Sequence, residues 1–208
     1  MLSLTNLFFV RLKLYSMPKT RLEAFSDGVL AIIITIMVLE LKVPHGAALA
    51  DLQPLINVFV SYLMSFIFIG IYWGNHHHLL HTVHHVNSKI IWANMHLLFW
   101  LSLIPFSTAW MGENHFSKLP VGVYGINLLG CAISYTILQL VIMSHYTHST
   151  SLTEALKKQE KKGIVSLVLY VLSIGFAFFY PFVSAIIIVA VAIMWIVPDK
   201  NIEKALKE

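Results

Sequence analysis

The chain has 208 residues, of which 58% are hydrophobic and 12% charged, with a mean hydropathy of +0.76. A soluble domain holds about 45–50% apolar and about 25% charged residues, so the composition excludes a soluble globular protein and describes an integral membrane protein. The net charge of +4 does not imply a nucleic-acid partner, because Lys and Arg in membrane proteins chiefly set orientation.

In chain order, residues 1–17 read as an N-terminal cytoplasmic segment. Its basic residues Arg11 and Lys13 follow the apolar Leu7 to Val10, the reverse of a secretory signal. Met17 is an alternative start to Met1. A spanning helix needs about 20 mostly apolar residues. On that criterion helices are expected at about 22–41, 55–79, 90–110 and 121–144. The apolar stretch Gly163 to Pro198 is too long for one helix. Proline disfavours helical geometry in the residue before it, so the stretch splits at Tyr180-Pro181 into 163–179 and 182–197. Residues 18–198 then form one all-α, six-helix domain, and residues 199–208 form a cytoplasmic tail.

Charge placement tests this count. With six spans, twelve of the 14 Lys and Arg residues fall on the side of the termini, and only Lys42 and Lys118 fall opposite. By the positive-inside rule both termini are cytoplasmic, as expected of a multi-pass protein of the cell membrane. The run Lys157, Lys158, Lys161 and Lys162 is expected to meet the anionic headgroups of membrane lipids.

The first helix carries the most informative segment, Arg21-Leu22-Glu23-Ala24-Phe25-Ser26-Asp27-Gly28, which leads directly into the apolar run Val29 to Leu39. A charge at membrane depth is expensive and faces a partner or a water-filled path. On a helix Ile32, Ile36 and Leu39 recur at i, i+4 and i+7 and share one stripe, with Thr35 beside it. Such a stripe faces lipid or core, or lines a path closed by an apolar constriction, which gates by dewetting. A buried Asp27 needs a donor from a neighbouring helix, because Arg21 lies about 9 Å away along the axis.

The string Arg21-x-x-x-Phe25-Ser26-Asp27, running into Gly28 to Ile36, resembles the first-helix motif of the transmembrane protein 175 family. That family comprises the lysosomal potassium channel of animals and shorter prokaryotic relatives. Trp73-x-x-His76-His77 after the second helix, and Asn94 with Leu103-x-Pro105-Phe106 in the third, add to the likeness. The resemblance implies a potassium-selective cation channel, a homotetramer whose pore is lined by the first helix of each subunit. It places the narrowest ring on Ile32, further layers on Ile36 and Leu39, and a selectivity hydroxyl on Thr35. It implies that Arg21, Phe25, Ser26 and Asp27 lie off the pore and tether the first helix, with His77 and Asn94 as partners. Asp27→Ala is therefore expected to lower assembly rather than alter ion preference.

Other polar features carry weaker signals. His76, His77, His78, His81, His84 and His85 crowd one helix end, and imidazoles at i and i+4 can bind zinc or copper. The bland reading, histidines capping carbonyls near headgroups, is preferred, and no metal or cofactor is expected. The alternative function is a proton or divalent-metal transporter using Asp27 and the His76–His85 cluster. Its expected mark, internal repeats or broken mid-membrane helices, is not evident. Val121-Gly122-Val123-Tyr124-Gly125 superficially matches a carbonyl filter, but no pore helix precedes it. Phosphate loop, cysteine pair and nucleophile elbow are all lacking, so no catalytic residue and no enzymatic activity are expected.

Overall fold

A computed structural model describes residues 17–83, 85–144 and 150–196, with the backbone alone for residues 150–158. The segments 1–16 and 199–208, and His84, lie outside the described residues. The helices are α1 (Lys19–Leu39), α2 (Ile56–His81), α3 (Ser88–Ser102), α4 (Ile104–Glu113), α5 (Lys118–Met143), α6 (Thr150–Ala177) and α7 (Pro181–Ile196). A short 3-10 segment, Leu49–Leu55, leads into α2. The described residues contain no strand. Among the described residues four stretches are long and apolar enough to cross a membrane: Lys19–Leu39, Leu49–His81, Ser88–Glu113 and Lys118–Met143. The chain is an all-helical membrane protein.

The third rod is one span in two pieces. The sequence reads as a continuous helix over 90–110, but the structure breaks it at Leu103, between α3 and α4. Pro105 is the cause: it lacks an N–H, and its ring clashes with the carbonyl four residues earlier. The α3 start is capped by Asn87, whose side chain accepts from the Ile90 N–H at 2.9 Å. At the other end of the chain, α6 begins at Thr150 rather than near Gly163. The lysine run therefore continues a helix instead of occupying a loop. The side chains of Lys157 and Lys158 lie outside the described residues, while Lys162 sits 5.2 Å above the Trp195 ring. The hairpin at Tyr180-Pro181 is closed by a 2.9 Å bond between the hydroxyls of Ser173 and Ser184.

Helix α5 is the hub and packs on α3, α4, α6 and α7. Small residues let it approach closely: a side chain on Gly130 would collide with the Trp100 indole. Gly112 in α4 lies against α2 in the same way, where an added Cβ would stand 2.8 Å from the Val58 Cα. Membrane helices have little hydrophobic drive to associate, so small-residue contacts and interhelical hydrogen bonds hold them. One such bond set joins three helices. The Ser65 hydroxyl of α2 meets Thr108 of α4 at 2.6 Å and Tyr124 of α5 at 2.9 Å. Tyr124 belongs to the filter-like pentapeptide, which therefore forms buried turns of α5 and exposes no carbonyl ladder.

Helix α1 is held less deeply. Its buried positions Leu22, Ser26, Leu30, Ile33 and Met37 form one narrow stripe against α2, α3 and α4. Ser26 is the single polar member of that stripe.

Candidate functional site

The opposite face of α1 is bare. Ile32 is 58% exposed, Ile36 43% and Leu39 78%, and Thr35 is exposed among them. The Thr35 hydroxyl donates to the Ile32 carbonyl at 2.9 Å. Its proton is thus engaged within the helix, and its oxygen is left to accept from or coordinate whatever faces it. Beside this face runs an open cleft of about 610 Å³ between α1 and the α3–α4 break. Ile32 and Ile36 form one wall, Ser102, Phe106 and Trp110 the other, and Glu40 stands at the end.

Toward the N-terminus of α1 lies a buried polar chain. Asn94 of α3, fully buried, donates its amide to the Ser26 hydroxyl at 3.0 Å. Ser26 in turn donates to the Leu22 carbonyl at 2.9 Å. The Asn94 carbonyl oxygen lies 2.6 Å from His76 Nε2. A carbonyl oxygen only accepts, so this arrangement assigns the imidazole proton to Nε2. Three helices are joined through one asparagine.

Asp27 is not part of that chain. It is exposed, and its Oδ1 accepts from the Trp73 indole N–H at 3.0 Å. Of the two expected partners, Asn94 does tie α1, through Ser26 and not Asp27, while His77 does not: Trp73 bonds Asp27 and His76 bonds Asn94. Helical phase explains the exchange. Ser26 lies four residues from both Leu22 and Leu30 on the buried stripe, and Asp27 is turned one step of about 100° away. His77 contributes by stacking on Trp73, with ring centroids 6.3 Å apart. Phe25 is 51% exposed, and Arg21 is exposed with no ion pair among the described residues. Lys19 fastens the start of α1 to the end of α2, donating to the His81 carbonyl at 3.0 Å and pairing with Glu23 at 3.5 Å.

His76 was legible in principle. Ser61, Ser65, Ile69, His76 and Leu80 lie on the buried side of α2 at helical spacing. His77, His81 and His85 are exposed and His78 is half-buried, with the His77 ring 5.9 Å from that of His81. Among the described residues, no three His, Cys, Asp or Glu side chains converge to hold a metal ion.

The sequence matches a potassium channel of Chryseobacterium sp. (strain P1-3), with 56% identity over 192 residues, covering 92% of this chain and all of that one. The chain belongs to the TMEM175 family. The family profile, described as endosomal/lysosomal potassium channel TMEM175, matches residues 21–105, which contain nearly all of α1, the polar chain and the α3–α4 break. A potassium channel of Streptomyces collinus (strain DSM 40733 / Tue 365) is 32% identical over 123 residues, 55% of this chain and 60% of its own. The fold superposes on the crystal structure of a lysosomal potassium-selective channel TMEM175 homolog from Chamaesiphon minutus with a TM-score of 0.75. That match has 27% identity and covers 85% of this chain and 95% of the other.

Proposed function

We propose that this chain is one subunit of a homotetrameric, potassium-selective channel of the cell membrane. Conduction is passive, and both termini face the cytoplasm. The observation that carries this reading is the bare stripe of α1, an aliphatic row left uncovered on a helix whose other side is fully engaged by α2, α3 and α4.

Four such stripes around an axis make a pore with apolar layers at Ile32, Ile36 and Leu39. An apolar ring forces an ion to shed part of its hydration. That costs less for the large, weakly hydrated potassium ion than for sodium, so selectivity is real but modest. The Thr35 oxygen offers a coordinating atom between two layers. Selection then proceeds without a carbonyl filter. Ser26 and Asp27, with Trp73, His76, His77 and Asn94, hold α1 in register, and Arg21 and Phe25 lie away from the axis beside them. Membrane lipids cover the outer faces.

The test is the reversal potential in a planar bilayer under a potassium/sodium gradient, for wild type and Ile32→Asn. The expected result is a shift toward the potassium potential, with larger current in Ile32→Asn because a polar ring no longer dewets. Absence of current from well-folded protein of both forms would overturn the reading.

A further inference from the structure

Glu40 follows the last residue of α1 and occupies its C-cap with helical backbone angles, φ −74° and ψ −14°. It is exposed and has no ion pair or hydrogen-bonded side-chain partner among the described residues. The nearby Lys42 pairs at 3.2 Å with Glu113, a second carboxylate lining the same cleft, and neutralises that one instead. A carboxylate at a helix C-terminus is on the wrong end for stability, because the last carbonyls already carry about half a negative charge. Among the described residues no cation pairs with it. A residue that breaks a local rule without compensation within its own subunit points to a role outside that subunit.

Position supplies the role. Glu40 lies four residues past Ile36 and eight past Ile32, just after Leu39 and on the flank of the bare stripe. All three line the same cleft. We propose that Glu40 sets the electrostatic potential at the pore mouth opposite the termini. Four carboxylates and four helix C-termini together raise the local cation concentration and so the rate of ion entry. This inference rests on the channel reading above. Unlike the apolar layers, Glu40 acts on rate through long-range attraction and not on the choice between potassium and sodium.

Salt screening separates the two effects. The Debye length is about 30 Å at 0.01 M and about 3 Å at 1 M ionic strength. Four unit charges within a Debye length of the pore mouth therefore enrich monovalent cations several-fold in dilute salt and hardly at all in concentrated salt. The experiment is single-channel conductance of wild type, Glu40→Gln and Glu40→Asp in symmetric KCl at 10 mM and at 1 M.

The expected result is a loss of about threefold or more for Glu40→Gln at 10 mM, under about 1.3-fold at 1 M, and near-wild-type conductance for Glu40→Asp. The potassium/sodium reversal potential stays the same in all three. Equal conductance of wild type and Glu40→Gln at 10 mM overturns the inference while leaving the channel reading intact. So does an equal loss at both salt concentrations, which marks a packing role. Wild-type protein that forms tetramers yet passes no current overturns the channel reading and this inference with it.

Discussion

Asn94→Leu is the sharpest probe of how α1 is held. The substitution keeps the γ-branched shape and removes both interhelical hydrogen bonds of the buried chain. The two losses differ in kind. His76, 3% exposed, loses its one hydrogen bond among the described residues and keeps a buried N–H with no acceptor, a penalty of about 1–3 kcal/mol. Ser26 still donates to the Leu22 carbonyl and loses only an accepted bond, about 0.6 kcal/mol by the average for membrane helices. The sum is about 1.6–3.6 kcal/mol. Equilibrium unfolding in mixed micelles, followed by helical circular dichroism, reads this directly. The partner variant Asn94→Leu/His76→Phe replaces both ends of the strong bond by apolar groups. It should recover to within about 1 kcal/mol of wild type, since removing a hydrogen-bonded pair together is far milder than orphaning one member. An Asn94→Leu protein within about 0.5 kcal/mol of wild type, or a double variant that loses the sum of the singles, would refute the argument.

Three further expectations follow from the packing. Gly130→Ala drives a methyl group into the Trp100 indole between α5 and α3, so it lowers stability by about 1–3 kcal/mol, as overpacking does, and reduces the yield of folded protein in a detergent thermal-shift assay. Trp73→Phe removes the indole donor from Asp27. It destabilises by about 1 kcal/mol or less in the same assay, because that carboxylate is exposed and water replaces the lost donor. Tyr124→Phe takes one member from the Ser65–Thr108–Tyr124 set but leaves Ser65 its bond to Thr108. The loss is near the membrane average of about 0.6 kcal/mol, and Ser65→Ala, which strips partners from both neighbours, costs more.

The run lengths of apolar residues were enough to count the rods, and Tyr180-Pro181 marked the last turn because proline punctuates helices locally. Other features escaped for physical reasons. Hydropathy locates membrane boundaries, not helix ends, so a lysine run that continues α6 looks the same as one in a loop. Pro105 was visible, but membrane helices tolerate proline, and only packing against neighbours decides whether the rod bends or breaks. The partner of Asp27 was misassigned because periodicity gives the spacing of a face and not its rotation toward other helices. A difference of one residue separates the buried Ser26 from the exposed Asp27. The bare stripe was legible only through the motif preceding it, since a row of isoleucines facing a pore and one facing lipid are written alike.

The two flanks of α1 answer to different selective pressures. Leu22, Ser26, Leu30, Ile33 and Met37 are constrained by the fold of a single subunit, while Ile32, Thr35, Ile36 and Leu39 touch little within it. Substitutions on the bare flank are thus nearly free of folding penalty, and permeation can diversify without eroding the scaffold. A deep mutational scan of α1 scored separately for membrane abundance and for potassium uptake should divide along that line, with abundance tracking one side of the cylinder and uptake both.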